Sequence, residues 1–137
     1  MDTKEKIQNK LEVTSFSATV IELGQYSSSV IKKMQKNNIV VESSMDYQKI
    51  QFNTKLSNIS EVRVYSSENI CYIQSFEIEQ PYQNDGLGTL IFQYLITEII
   101  PRSNNTIYIN PTEKPMKIIC KKFNFSKSEK INGWYVN

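Results

Sequence analysis

The segment FEIEQPYQNDGLGTLIFQYL, residues 76–95, holds two of the chain's four glycines, separated by one residue. The stretch that leads into it, NICYIQSFEI (69–78), is apolar, aromatic and β-branched, which predicts a strand. After the glycines, apolar residues recur at three- and four-residue spacing, which predicts an amphipathic helix that ends before Pro101. Gly86 and Gly88 therefore lie in a strand-to-helix turn, where the first amide groups of the helix have no partner within the helix. Such a turn can hold an anion.

The remaining sequence predicts further strands and helices around this turn. Period-two alternation and a polar turn predict an antiparallel meander that ends in the strand before the glycines. Along the helix predicted after Pro115, Met116, Ile119, Cys120 and Phe123 form an apolar stripe. The order of elements predicts a single α/β domain with a mixed, mainly antiparallel sheet and helices on both faces. The predicted strands cover 17–23, 47–53, 61–66, 70–79, 106–110 and 132–136, and helices are expected at 28–38, before Pro101 and after Pro115.

Composition limits the kind of protein this can be. The chain has 137 residues, 39% of them hydrophobic, which suits one domain with a core. No apolar run approaches the roughly 20 residues of a membrane span, and the first residues lack the apolar core of a signal peptide, so we expect a cytoplasmic protein. Cys71 and Cys120 are then expected to be free thiols. The absence of histidine excludes histidine-based catalysis, and no metal site is expected.

Charge divides the sequence into two parts. Residues 1–100 hold 9 Lys/Arg and 12 Asp/Glu, a net charge of −3, whereas residues 101–137 hold 7 and 2, a net charge of +5. The basic part is either a solvated lysine face or a surface for a phosphate-bearing partner. At the other end, residues 1–12 offer only Ile7 and Leu11 to one side of a helix, so a short helix and a loose arm both stay open.

Two motifs resemble those of the GNAT superfamily of acyl-CoA-dependent N-acyltransferases. The sequence QNDGLG (83–88) fits the family pattern Gln/Arg-x-x-Gly-x-Gly/Ala, and a strand precedes it as in the family. The segment NPTEKPMKIICKKFNF (110–125) is similar to a later family motif that begins with an Asn at a strand end and closes with Gly-Phe. The resemblance covers residues 61–125, and the N-terminal part fits only in the order of its elements.

The resemblance implies a binding site for acetyl-CoA. In the family, the strand before the glycines parts from the next strand, and the pantetheine lies in the resulting cleft. Backbone amides at a glycine turn can approach a pyrophosphate because no side chain blocks them. The positions implied for coenzyme binding are Phe76, Glu77, Ile78, Gln83, Asn84, Asp85, Gly86, Leu87, Gly88, Thr89 and Asn110.

The catalytic positions depart from the family. The family commonly has a Tyr on the last helix to protonate the departing thiolate, and Cys120 stands there; the thiol is either this acid or part of the apolar stripe. The usual base positions correspond to Tyr72 and Gln74. Strand alternation is expected to turn Glu77 away from the face of Tyr72. Asp85 opposes an anion in the turn unless its side chain points to solvent or caps the following helix.

These observations predict an N-acetyltransferase that moves an acetyl group from acetyl-CoA directly to a primary amine. The acceptor, a small molecule or a protein, cannot be read from the sequence, and a homodimer stays open. One alternative is a catalytically weak or inactive acyl-CoA-binding domain. Another is a modifier of a protein or RNA partner; the lysines of 101–137 lack interleaved aromatic residues, so nucleic acid is not the expected partner.

Overall fold

A seven-stranded sheet forms the centre of the structure, with the strand order β1-β2-β3-β4-β5-β7-β6. The computed structural model describes residues 2–24, 32, 34–36, 46–66, 70–83, 86–100, 106–128 and 133–136. The strands are β1 (Ser17–Gly24), β2 (Asp46–Asn53), β3 (Asn58–Ser66), β4 (Ile70–Ile78), β5 (Thr106–Ile109), β6 (Ser126–Lys127) and β7 (Trp134–Val136).

The pairing confirms the predicted sheet. Strands β1 to β4 form an antiparallel meander, and β4 then pairs in parallel with β5. The antiparallel strand β7 pairs with β5 on one side and with the two-residue strand β6 on the other. The sheet is thus mixed and mainly antiparallel, while β6 was not predicted because two residues carry too little pattern.

In the described part of the chain, three α-helices pack on one face of the sheet. They are α1 (Thr3–Leu11), α2 (Leu87–Tyr94), which continues as a π-helix (Leu95–Ile99), and α3 (Lys114–Lys122). A short 3₁₀ helix (Gln80–Tyr82) precedes the glycine turn. None of the described helices is long and apolar enough to cross a membrane.

The N-terminal residues form a helix rather than a loose arm. The Asp2 side chain caps α1 by accepting a hydrogen bond of 2.8 Å from the Glu5 amide. Ile7 is fully buried in the main core, and α1 packs on α2. Two apolar positions, Ile7 and Leu11, are therefore sufficient to stabilise this helix, because α2 and the core cover its apolar side.

The sheet has two different faces. Its helix-covered face holds the main core, which includes Val62, Val64 and Ile73 from the sheet and Phe92 from α2. The opposite face holds a smaller cluster of Met34, Tyr65 and Tyr72. Met34 belongs to the helix predicted over 28–38; residues 32 and 34–36 have helical backbone, and the rest of that prediction lies outside the described residues.

A β-bulge at Gln74 breaks the alternation along β4. Arg63 lies opposite Ser75 and Val64 lies opposite Ile73, so Gln74 is the extra residue. Ile73 and Phe76 consequently both face the main core, whereas Tyr72 faces the other side. Strict alternation would put Tyr72 and Phe76 on one face; it does not hold here, because a period of two does not reveal an inserted residue.

Gly133, just before β7, touches the end of β5. A Cβ atom there would lie 2.8 Å from the Ile109 carbonyl oxygen and 3.6 Å from the Asn110 Cα. We therefore expect Gly133→Ala to lower the free energy of unfolding by about 1–3 kcal/mol through overpacking, measured by urea denaturation. Gly24→Asn is the control, because Gly24 has open space and Asn tolerates its φ of 81°. Equal stability of the wild type and Gly133→Ala would contradict this close contact.

Candidate functional site

A cleft of about 780 Å³ opens where β4 and β5 part. Their parallel pairing ends at Ile73 and Ile109, but β4 continues to Ile78. The bulge at Gln74 lies directly after Ile73, the last residue of β4 that pairs with β5, and it increases the local twist. The cleft thus follows from β4 being longer than its neighbour and bending away from it.

The two walls of the cleft come from different elements. One wall is the free part of β4 with the glycine turn, and the other is the end of β5 with α3. The first wall includes Gln74, Ser75, Phe76, Glu77, Ile78, Glu79, Gln80, Gln83, Gly86, Gly88 and Thr89. The second includes Ile109, Asn110, Pro111, Thr112, Glu113, Pro115, Met116, Ile118, Ile119 and Lys122.

Backbone groups of β4 point into the cleft. The Glu79 amide donates to the Ile59 carbonyl (2.9 Å), and the Glu77 carbonyl accepts from the Ser60 hydroxyl (2.6 Å), so both point toward β3. Successive residues of a strand direct their peptide groups to opposite sides. The peptide groups of Phe76 and Ile78 therefore face the cleft, where they offer donors and acceptors to an extended ligand.

The glycine turn closes one end of this wall. Gly86 is the N-cap of α2 with φ 86°, a conformation that favours glycine, and it brings no capping side chain. The Gln83 side-chain amide donates to the Ile78 carbonyl (2.8 Å), which ties the turn to the end of β4. The open N-terminus of α2, with its partial positive charge, thus faces the cleft.

Gly88 has room around it within the protein. A Cβ atom there would lie 3.7 Å from the Ile78 Cγ1 and 3.9 Å from the Ile119 Cδ1, which are ordinary contact distances. Packing of the chain on itself therefore does not require glycine at this position. The missing side chain leaves free space on the cleft wall instead.

Most residues that the sequence assigned to coenzyme binding come together in the cleft. Leu87 does not line it, because it is fully buried in the main core. Asn84 and Asp85 lie outside the described residues. The residues that do line it are Phe76, Glu77, Ile78, Gln83, Gly86, Gly88, Thr89 and Asn110.

Of the three predicted catalytic residues, only Gln74 lines the cleft. Cys120 is fully buried in the main core, and burial raises the pKa of its thiol to about 12. A thiol enclosed in this way stays protonated at neutral pH. Its position matches the packing interpretation of the sequence, in which Cys120 belongs to the apolar stripe of α3.

Tyr72 lies in a row of tyrosines that crosses the sheet on the face opposite α1, α2 and α3. Each tyrosine of this row is the direct pairing partner of the next one on the neighbouring strand, in the order Tyr47, Tyr65, Tyr72, Tyr108 and Tyr135. The rings of Tyr47 and Tyr65 stack at 4.3 Å, and burial raises the pKa of Tyr65. Tyr72 is only 4% exposed within this row and does not line the cleft.

Glu77 lies on the same face as this row, contrary to the sequence prediction. It is directly opposite Glu61, which forms ion pairs with Lys49 (3.8 Å) and Arg63 (3.5 Å). The bulge at Gln74 shifts the alternation by one residue and so brings Glu77 to the face of Tyr72. Glu77 is exposed and lines the cleft from the face of the sheet that carries the tyrosine row.

Sequence reasoning missed several residues of the second wall. Met116 and Ile119 were assigned to the core stripe of α3, but they also line the cleft. Lys122, one of the lysines of the basic part 101–137, lines the cleft as well. The only available signal was their presence in the motif at 110–125, which does not say which helix face meets the cleft. Among the described residues, no three potential metal-ligating side chains cluster together.

Solved structures share this fold at low sequence identity. A GNAT family acetyltransferase from Elizabethkingia anophelis with acetyl-CoA bound matches with a TM-score of 0.57 and 11% identity, over 85% of this chain and 79% of its own. The ribosomal-protein-S18-alanine N-acetyltransferase from Escherichia coli matches with a TM-score of 0.55 and 10% identity, over 88% of this chain and 90% of its own. The PaiA N-acetyltransferase from Thermoplasma acidophilum in complex with coenzyme A matches with a TM-score of 0.50 and 14% identity, over 87% of this chain and 96% of its own. No protein-family model and no curated protein matches the sequence.

The buried thiol of Cys120 leads to a prediction about stability. Cys120→Ala removes one buried atom and should lower the free energy of unfolding by about 1 kcal/mol at pH 7. Folding raises the thiol pKa from 9.0 to about 12, so this thiol's contribution is complete below pH 9 and is lost as pH rises toward 12. Urea denaturation at pH 7 and pH 10 should therefore show a steeper loss for the wild type than for Cys120→Ala. Parallel losses would contradict the burial.

Proposed function

We propose that this chain, which has the fold of the GNAT acetyltransferases, transfers an acetyl group from acetyl-CoA to a primary amine. The observation that carries the proposal is the cleft between β4 and β5, because it joins free strand backbone to a glycine turn at a helix N-terminus. The structural neighbours with acetyl-CoA or coenzyme A bound support it.

The two ends of the cleft suit the two parts of the coenzyme. Pantetheine contains amide groups, which can pair with the peptide groups that Phe76 and Ile78 direct into the cleft. The pyrophosphate is an anion and suits the N-terminus of α2, where Gly86 and Gly88 present no side chain to obstruct it. Asn110 faces this wall from the end of β5.

The transfer itself requires little from ionisable side chains. A neutral amine attacks the thioester carbonyl and forms the C–N bond, the C–S bond breaks, and the departing thiolate takes up the proton that the nitrogen releases; no covalent enzyme intermediate is needed. A thioester is already reactive, so holding the amine beside it can supply several kcal/mol of the barrier reduction. Gln74, the extra residue of the bulge, lies on the cleft wall, where it can position the reacting groups.

A second candidate is an acyl-CoA-binding domain with little or no turnover. One observation favours it: Cys120 and Tyr72, at the family positions for acid and base, are buried and do not line the cleft. Release of free coenzyme A, measured over polyamines, amino sugars, amino acids and peptides, separates the candidates. We expect turnover on some amine. The rate of folded Cys120→Ala should change less than tenfold, because the buried thiol does not reach the cleft, whereas loss of a positioned general acid would lower the rate by at least about 10²-fold. Binding without release on any amine would support the second candidate.

Gly88→Ala tests the coenzyme site without disturbing the fold. The protein has space for the new methyl group, and alanine favours a helix, so the melting temperature without ligand should stay equal or rise slightly. Acetyl-CoA at 100 times its dissociation constant should stabilise the wild type by about 2.7 kcal/mol. In Gly88→Ala this shift should fall, because the methyl group occupies the space meant for the ligand.

Thr97→Ala, at the far end of the same helical segment, is the matched control and should keep the full shift. An unchanged melting temperature of the wild type with saturating acetyl-CoA would exclude the proposed function. A full shift in Gly88→Ala would instead place the ligand elsewhere.

A further inference from the structure

The N-terminal helix brings a lysine to the glycine turn. A Cβ atom built on Gly86 would lie 3.8 Å from the Lys10 Cε and 3.9 Å from the Lys10 Nζ. Lys10 is in the last turn of α1, far in sequence from the motif at 83–88. The ammonium group therefore lies beside the N-cap of α2, next to the cleft.

This position is set by a well-anchored helix end. Ile7 fixes α1 in the main core, and Leu11 packs against it. Beyond Lys10, Glu12 takes a left-handed conformation, and its amide donates back to the carbonyls of Asn9 and Gln8. The turn that carries Lys10 is thus held by packing and by backbone hydrogen bonds, so only its side chain has to be ordered by a ligand.

The charges around Gly86 call for an anion. The N-terminus of α2 carries partial positive charge, and the Lys10 ammonium adds a full one, 3.9 Å from where a Cβ atom of Gly86 would lie. Within the described part of the chain, no carboxylate forms an ion pair with Lys10. Asp85 precedes Gly86 but lies outside the described residues, so its charge has to be separated experimentally.

We propose that Lys10 binds the pyrophosphate of the coenzyme, as an arm that α1 extends to the glycine turn. The inference rests on the proposed function, since it takes acetyl-CoA as the ligand. The pyrophosphate is the group concerned because Lys10 meets the turn at Gly86 itself. Because the lysine is exposed, its contribution is modest and falls with ionic strength.

The test is a comparison of dissociation constants by calorimetry for coenzyme A and for dephospho-coenzyme A, which lacks the 3′-phosphate. Lys10→Ala should weaken both by about fivefold at low salt, and by less at high salt. Pantetheine, which has no phosphate, should bind both proteins equally in ligand-observed NMR. Lys4→Ala, an exposed lysine earlier on α1, is the matched control, and Lys10→Arg should retain most of the affinity.

Each alternative has its own outcome. If Lys10 only neutralises Asp85, the effect of Lys10→Ala disappears in an Asp85→Asn background, and the proposal is overturned. Loss of the effect with dephospho-coenzyme A would move the contact to the 3′-phosphate and overturn it too. Equal affinity of the wild type and Lys10→Ala, with coenzyme A bound by both, would refute the inference and leave the proposed function standing. Absence of binding to the wild type would instead refute the proposed function.

Discussion

The parting of β4 from β5 is the constraint on which the site depends. A sheet normally satisfies its backbone groups by pairing neighbouring strands, and here the pairing stops at Ile73 and Ile109 while β4 continues. The bulge at Gln74 turns the free part of the strand, so that Phe76 and Ile78 direct peptide groups into a cleft. The Ile78 carbonyl accepts from the Gln83 side chain, but β5 does not pair with this part of β4, so a ligand with amide groups can pair with the peptide groups that face the cleft.

The same side chains serve the core and the cleft. Phe76 packs its ring against Phe92 (5.4 Å between centroids) while its backbone faces the cleft. Ile119 of α3 packs on the main core and also approaches Gly88. Core packing therefore holds Phe76 and Ile119 in position on the cleft walls, which suits a site that acts mainly by holding two reactants in place. By contrast, Cys120 lies entirely within the core and is not available to the cleft.

Part of this arrangement could be predicted from the sequence. The glycine turn, the meander and the helix after Pro115 follow from local patterns, because periodicity and turn residues act over a few positions. The bulge at Gln74 could not be predicted, since one inserted residue leaves the apolar pattern of β4 intact. The predicted face of the Glu77 side chain was therefore wrong. Neither Lys10 beside Gly86 nor the tyrosine row has a local signal, because both arise from contacts between distant segments.

The most direct test of the central claim is a titration of ¹⁵N-labelled protein with acetyl-CoA, followed by amide chemical shifts. We predict the largest changes at Phe76, Ile78 and Gly88, where the free part of β4 and the glycine turn form one wall of the cleft. Tyr47 and Tyr65, across the sheet on β2 and β3, should change little. Shifts concentrated on the tyrosine row, with the amides of Phe76, Ile78 and Gly88 unaffected, would contradict the cleft as the coenzyme site.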